Sequence, residues 1–344
     1  MRNGKNFLRK KLVVFFVEGE PWAHMDPVRV YFLGAGALGV PVLAALLRDS
    51  RIEMVGIGTQ PDRPSGRKRR LKPTPVGEFA EQKGQGVDKL VSVNATDFLE
   101  RQRMLAPELV VVVSFGQILK QDLLELPKFG CFNVHASLLP RHRGASPINA
   151  AILCNDTETG ISFMKMDQGL DTGPVYEMPR LQLRPEDTAE TLEERLAELA
   201  AGRVADCIWR VCREEMASVA QAASGATYAA KLKKEDGVVD WELPAEVLER
   251  RIRAFLPWPR AYFWLDIPKG KRRIQITVAE VIETGGDCSH AGKILQADKN
   301  GWVVGCGTNA LKLQRVIPEG RNEMAAGEFL RGCNIPVTSR IDQN

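Results

Sequence analysis

Residues 28–59 read VRVYFLGAGALGVPVLAALLRDSRIEMVGIGT. Val28 to Leu33 is a short apolar run, Gly34, Gly36 and Gly39 punctuate a turn, Val40 to Leu47 is helix-forming, and Ile52 to Ile57 is a second apolar run. Run, glycine turn, helix and run make a βαβ opening. The strand pattern recurs at Leu109 to Val113 (LVVVV) and Cys131 to His135 (CFNVH), with helices predicted at Val76 to Lys83 and Thr188 to Arg213. Short β-branched strands alternating with helices predict an α/β class: a Rossmann-like, doubly wound, mainly parallel sheet covered on both faces.

The pattern changes after the small-residue stretch Ala217 to Ala226. A helix near Pro244 to Phe255 is followed by short strands around Tyr262 to Leu265, Ile274 to Val281, Lys293 to Ala297, Trp302 to Val304 and Leu311 to Arg315. Regular short strands with glycine-containing turns predict a small β-barrel or sandwich. We therefore divide the 344 residues into an extension (1–27), an α/β catalytic domain (28–214), a linker (215–231) and a β-domain (232–344), in keeping with the two domains expected of this length.

Apolar residues at 44% and charged residues at 26% are ordinary for a globular chain and exclude a low-complexity reading. The net charge of +4 is too small to mark a nucleic-acid binder in bulk, so any such site must be local. Seven cysteines without a C-x-x-C pair fit a reducing cytoplasm. Leu12 to Val17 is far shorter than the roughly 20 apolar residues of a membrane span. Glu18, Glu20 and Pro21 directly after it do not form a signal-peptide cleavage site. Met25, just before the first strand, is a candidate translation start.

Gly34-Ala-Gly36-Ala-Leu-Gly39 has the spacing and context of a dinucleotide fingerprint, which makes an NAD-dependent oxidoreductase one reading. The acidic residue that should end the second strand is absent, since Gly58 is followed by Thr59 and Gln60; glycines serving a tight turn are the preferred reading.

Asn133 and His135 are two apart on a predicted strand, so they share a face near its carboxyl end, the edge where parallel sheets bind ligands. Asp171, in a glycine-containing loop, could fold over the same edge. An amide to meet an oxyanion, an imidazole titrating near neutrality and a carboxylate to orient it suit acyl transfer without a covalent intermediate. Cys131 is four strand residues from His135, about 13 Å, too far for a thiol–imidazole pair. No H-x-x-x-H or C-x-x-C spacing supports a metal at His135, His142 and Asp171, and none is expected. Six cations between Arg63 and Lys72, with no acid among them, form a phosphate-binding candidate on a loop leaving the same edge.

Asn133-Val-His135 followed by Ser137-Leu138-Leu139-Pro140, with GISFMKMDQGLDTG at 160–173, resembles the folate-dependent formyltransferases. A narrower match to the tRNA-acting branch of that family is carried by four stretches. They are TQPDRPSGR at 59–67, Ser137 through Ala145 with Pro147-Ile148, TYAAKL at 227–232 and RAFLPWP at 253–259. The resemblance runs from about Val28 to the C-terminus. It implies a formyltransferase fold with an OB-like C-terminal barrel, and transfer of a formyl group from 10-formyltetrahydrofolate to methionyl initiator tRNA by a cytoplasmic monomer. It implies Asn133, His135 and Asp171 as catalytic residues and Ser137, Leu138, Leu139 and Pro140 as part of the folate site. Arg67, Lys68, Arg69, Arg70 and Lys72 would meet the acceptor stem, and the C-terminal barrel would support the tRNA. On these assignments we expect the neutral amine to attack the formyl carbon, Asn133 and a protonated or polarising His135 to stabilise the oxyanion, and Asp171 to hold His135 and help relay the proton. The chain departs from the family at His142, usually Trp, at Asn149, usually Gln, and at the Gly34–Gly39 turn, commonly G-T-P-x-F-A. A sugar-nucleotide N-formyltransferase would share the trio without the long basic insert, and a non-catalytic RNA-binding protein could keep the fold.

Overall fold

β1 (Val28–Gly34) passes through the glycine turn into α1 (Gly39–Arg48) and returns as β2 (Ile52–Thr59), parallel to β1. The chain continues through the hairpin β3 (Arg63–Ser65) and β4 (Arg70–Lys72), then α2 (Pro75–Gln82), β5 (Asp88–Lys89), α3 (Thr96–Leu105), β6 (Leu109–Val113), α4 (Gln121–Leu124) and β7 (Cys131–His135). There follow β8 (Arg143–Gly144), α5 (Pro147–Leu153), β9 (Glu158–Gly160), β10 (Ser162–Lys165), β11 (Val175–Glu177) and β12 (Arg180–Gln182). The helices α6 (Ala189–Ala201) and α7 (Val204–Cys212) precede β13 (Tyr228–Ala229) in the linker. This computed structural model describes residues 25–65, 69–267, 270–285, 290–298, 301–333 and 339–341. Most of the extension, residues 1–24, and the basic residues Arg67 and Lys68 lie outside the described residues.

The principal sheet has the order β11-β10-β7-β6-β1-β2-β5. From β5 to β7 every pair is parallel, and β10 and β11 add an antiparallel edge beyond β7. All of β6 is buried because both faces are covered. Leu109, Val111 and Val113 pack among α1, α6 and α7, while Val110 and Val112 face Phe98, Leu99 and Leu123 on the other side. The helix expected from Thr188 to Arg213 is broken into α6 and α7 at Gly202 and Arg203. Glycine is a poor helix interior, and the break lets Val204, Cys207, Ile208 and Val211 reach the same core as Leu192 and Leu196.

In the second lobe, α8 (Ala245–Ala254) packs beneath an antiparallel sheet of β14 (Ala261–Ile267), β15 (Gly270–Ile282), β16 (Ile294–Asp298), β17 (Gly301–Gly305) and β18 (Ala310–Pro318), in the order β14-β15-β18-β17-β16. β19 (Met324–Ala325) pairs with β18 and leads into α9 (Ala326–Arg331). Register shifts between β15 and β18 around Val278 bend this sheet about its core. Trp302 is fully buried there, edge-on to Phe263 and stacked on Phe329, each at 5.6 Å. Among the described residues β14 and β16 share no ladder, so the small barrel is a half-barrel. No helix among the described residues is long and apolar enough to cross a membrane.

The lobes meet along α5 and α8. Asn149 Nδ2 donates to the Ala254 carbonyl at 2.6 Å, and Arg253 Nη1 to the Asp187 carbonyl at 2.8 Å. Asn149 is thus an interlobe contact. Trp302→Ala should cost about 3–5 kcal/mol of the C-terminal lobe's stability through lost burial and a cavity; a denaturant titration followed by fluorescence that showed an unchanged transition would refute this core assignment.

Candidate active site

β7 places Asn133 opposite Met164 of β10 and His135 opposite Ser162. Their shared face turns both side chains toward Asp171, which the loop after β10 carries back over the sheet edge. Asn133 Nδ2 lies 3.4 Å from Asp171 Oδ1, and His135 Nδ1 lies 3.7 Å from Asp171 Oδ2. His135 is 6% exposed, and the Asp171 side chain 14%. The three residues that the sequence placed together are together.

The His135 Nε2 is 3.0 Å from the His142 carbonyl oxygen. A carbonyl only accepts, so Nε2 carries a proton, and in the neutral ring Nδ1 is left as an acceptor facing Asp171. The 3.7 Å gap to the carboxylate, beyond hydrogen-bond range, agrees with two acceptors face to face. Burial pushes the imidazole's pKa below its ordinary value; the Asp171 charge and the His142 carbonyl act in the opposite direction. The balance favours the neutral base.

Asp171 is held mainly by backbone. Gly144 N–H donates to its Oδ2 at 2.7 Å. Asp171 itself has a left-handed φ of +53°, and Gly144 a φ of +112° with its missing Cβ position only 2.6 Å from the Ala229 carbonyl oxygen. No side chain fits between Gly144 and the linker strand. β13 runs parallel to β8 there, with Arg143 N donating to the Thr227 carbonyl and Ala145 N to the Ala229 carbonyl, both at 2.9 Å.

His142 is buried and bound to the scaffold. Its Nε2 pairs with Asp156 Oδ2 at 2.6 Å, its backbone N–H donates to Thr227 Oγ1 at 2.8 Å, and Arg141 Nη2 shares Asp156 at 2.5 Å. Its backbone φ is +56°. These bonds fix the carbonyl that selects the His135 tautomer. Sequence reasoning marked His142 as a departure without this role, and it placed Gly144 and Thr227 in family-like stretches without giving either a part in the site; backbone groups and long-range loop pairings leave no periodic signal.

Ser137 is fully buried, and its hydroxyl donates to the Arg141 carbonyl at 2.7 Å while its own carbonyl accepts from Ser162 Oγ at 2.7 Å. Leu138, Leu139 and Pro140 form the turn that this network closes. They line a cavity of about 370 Å³ together with His142, Asp156 and Thr159. The trio lies outside that lining, joined to it through His142.

The basic hairpin leaves the carboxyl end of β2 and therefore the same edge as β7. Gln60 Nε2 donates to the Phe115 carbonyl after β6 at 2.5 Å and its Oε1 accepts from Arg63 at 2.7 Å, tying the hairpin's base to the site side of the sheet. Arg69, Arg70 and Lys72 are exposed. Cys131 is unsuited to nucleophilic work: it is buried and its thiol pKa is pushed up to about 12.

The glycine turn holds no nucleotide-type cradle. A Cβ at Gly34 would strike Phe32 at 2.5 Å, at Gly36 the Ser114 Cβ at 2.8 Å and at Gly39 Val76 at 2.9 Å. The Leu38 amide at the start of α1 donates to the Glu193 carboxylate at 3.1 Å. Packing accounts for all three glycines, and a side chain takes the place of an anion.

A mainly parallel sheet that gathers amide, imidazole and carboxylate at its carboxyl edge, with an antiparallel second lobe, is the build of a group-transfer enzyme. The chain belongs to the formyltransferase family: residues 28–206 match Formyl transferase and residues 231–334 match Formyl transferase, C-terminal domain. It is 38% identical over 317 residues to a methionyl-tRNA formyltransferase of Geobacter metallireducens, covering 92% of this chain and 99% of that one. To the methionyl-tRNA formyltransferase of Aromatoleum aromaticum it is 40% identical over 317 residues, covering 92% and 98%. Among solved structures, the fold is similar to WlaRD, a sugar 3N-formyl transferase crystallised in the presence of dTDP and 5-N-formyl-THF. That match has a TM-score of 0.60 at 15% identity and covers 86% of this chain and 99% of that one. It is also similar to HypX from Aquifex aeolicus in complex with tetrahydrofolic acid, with a TM-score of 0.58 at 14% identity over 89% of this chain and 47% of that one.

Because the folded chain protonates His135 less readily than the unfolded chain, the unfolded state gains the proton first as pH falls through 6.5, and stability declines there. His135→Gln should lose less stability across that step than the unaltered protein. Urea midpoints on either side of pH 6.5 check this, and equal declines in both proteins would refute it.

Proposed function

We propose that the protein transfers the formyl group of 10-formyltetrahydrofolate to the amino group of methionine esterified to initiator tRNA, acting in the cytoplasm as a monomer. In this reading residues 28–214 are the catalytic lobe, 215–231 the linker and 232–344 the lobe that supports the tRNA. The observation that carries it is the convergence of Asn133, His135 and Asp171 with a defined His135 tautomer. The identity to named methionyl-tRNA formyltransferases over nearly the whole chain supports the acceptor. The exposed cations Arg69, Arg70 and Lys72 at the same sheet edge support a polyanionic substrate, whereas a sugar nucleotide needs no such insert.

The folate co-substrate, when bound, supplies the electrophilic formyl carbon. The turn of Leu138, Leu139 and Pro140, closed by Ser137, lines a cavity joined to the trio through His142, and we assign part of such a ligand to it. As the amine attacks, positive charge develops on its nitrogen and negative charge on the formyl oxygen. His135 accepts the amine proton at Nδ1, the atom its bond to the His142 carbonyl leaves free. Asp171 stabilises the imidazolium so formed, and Asn133 Nδ2, which among the described residues makes one long bond, donates to the oxyanion. His135 then returns the proton to the leaving nitrogen. This assigns His135 to proton transfer and leaves oxyanion stabilisation to Asn133.

Incubation with 10-formyltetrahydrofolate and methionyl initiator tRNA, followed by mass spectrometry of the amino acid released from the RNA, should yield formylmethionine. An unformylated product beside an active reference enzyme would defeat the reading. Asn133→Ala should lower kcat by roughly 10²–10³, the usual loss of one oxyanion donor; near-normal turnover would remove Asn133 from that role. Replacing Arg69, Arg70 and Lys72 by Glu should raise KM for the tRNA and flatten its salt dependence while folate affinity stays constant. Unchanged tRNA kinetics would show that the hairpin does not meet the RNA.

A further inference from the structure

Gln221 lies in the linker, within the small-residue stretch between the lobes. Its amide makes four hydrogen bonds. Nε2 donates to the carbonyl oxygens of Asp171 and Gly173, each at 2.8 Å, and Oε1 accepts from Arg143 Nη2 at 2.7 Å and Nε at 3.1 Å. Two carbonyls demand donors and a guanidinium demands an acceptor, so the amide has one possible orientation.

We propose that Gln221 is a positioning residue for Asp171, and that the interlobe linker is thereby a working part of the active site. This rests on the role of Asp171 proposed above. The bond that places the Asp171 carboxylate comes from the Gly144 amide, and the two halves of that bond belong to separate loops. Gln221 grips one loop by its backbone on both sides of Thr172 and the other by Arg143, the residue next to Gly144. The linker backbone is pinned on either side of it: Val219 exchanges two hydrogen bonds of 2.8 Å with Val175, and Thr227 and Ala229 pair with β8. From 222 to 228 the intervening residues are exposed. Two side chains of this span reach inward, the Thr227 hydroxyl to His142 and the Gln221 amide to the Asp171 loop, and Gln221 holds the left-handed backbone of Asp171 in register with the Gly144 donor.

A structural brace would be indifferent to the electrostatics of His135; a positioning residue is not. Among the described residues the titratable groups that face His135 are Asp171 and His142, and the Asp171 charge opposes the effect of burial on the imidazole. Displacing Asp171 therefore moves the ionisation of His135 to lower pH.

The test uses the full chain with Gln221→Met, close in size and neutral, and Gln221→Asn, too short to span both loops, beside Asp171→Asn. The readouts are the Gly144 amide proton shift by NMR, thermal midpoint, and kcat and KM against pH with 10-formyltetrahydrofolate and methionyl initiator tRNA. Both Gln221 variants should lose the downfield Gly144 shift, lower kcat by up to about 10²-fold with KM for the tRNA unchanged, and move the ascending limb of the pH profile to lower pH. A Gln221 variant with the original Gly144 shift and kcat, while Asp171→Asn is inactive, overturns the proposal. So does a loss of activity that tracks a fall in thermal midpoint with the pH profile unmoved. An active Asp171→Asn would instead remove the catalytic role of Asp171 itself, and the Gly144 shift would still decide whether Gln221 places that carboxylate.

Discussion

A carboxylate taken largely out of water must be supplied with donors, and the need to hold Asp171 this way organises the edge of the sheet. The neutral His135 tautomer offers it none, and Asn133 reaches it only at 3.4 Å, so the short bond comes from the Gly144 backbone. That donor can be delivered only if Gly144 adopts a conformation closed to other residues and lies against the linker strand with no Cβ between them. The demand of one charged group thus passes through a glycine to β13, and from there to the segment that joins the lobes. Linker and catalytic edge cannot be arranged independently.

The same edge is stabilised on its other side by His142. Its ring is tied to Asp156 and its amide to Thr227, which leaves its carbonyl pointing at His135. Without it, the Asp171 carboxylate facing Nδ1 would favour the tautomer that carries its proton there. The carbonyl draws the proton to Nε2, and the nitrogen it does not use faces the carboxylate. Two strained turns, at His142 and Asp171, meet at one imidazole; positive φ at bulky or charged residues is costly and persists where surrounding bonds overdetermine it.

Much of this was legible from the sequence where the physics is periodic. Alternation along β7 put Asn133 and His135 on one face, and the buried runs at Leu109–Val113 and Val28–Leu33 identified central parallel strands. The Gly-rich loop brought Asp171 to the same edge as expected. What could not be read depends on partners distant in the chain or on backbone atoms. Gln221 sits among alanines and serines and has no pattern to announce it; its meaning comes from one loop 48 to 50 residues away and another segment 78 residues away. The half-barrel required knowledge of where β14 and β16 end relative to each other, which strand spacing does not contain. The break between α6 and α7 turned on a single glycine whose effect was decided by packing.

The glycine turn after β1 is instructive because its local signal matched another chemistry. In a doubly wound sheet the crevice lies where strand order reverses, here between β1 and β6. In this molecule the Gly36 amide donates to the Ser114 carbonyl at 3.3 Å, and the Ser114 side chain fills the space over Gly36, so the loops that would diverge around a dinucleotide are closed on each other. The α1 amide at Leu38 still requires a negative partner, and Glu193 from α6 provides it; burial raises the Glu193 pKa and the Leu38 bond opposes that rise. With the crevice closed and the helix end satisfied from within, an open polar edge remains one strand farther along, at β7. There the neighbour is antiparallel, so β10 begins beside His135 and runs away from the site, which lets its outgoing loop bring Asp171 back. G-x-G-x-x-G specifies how closely a strand and helix pass; the topology beyond it determines what the edge can bind.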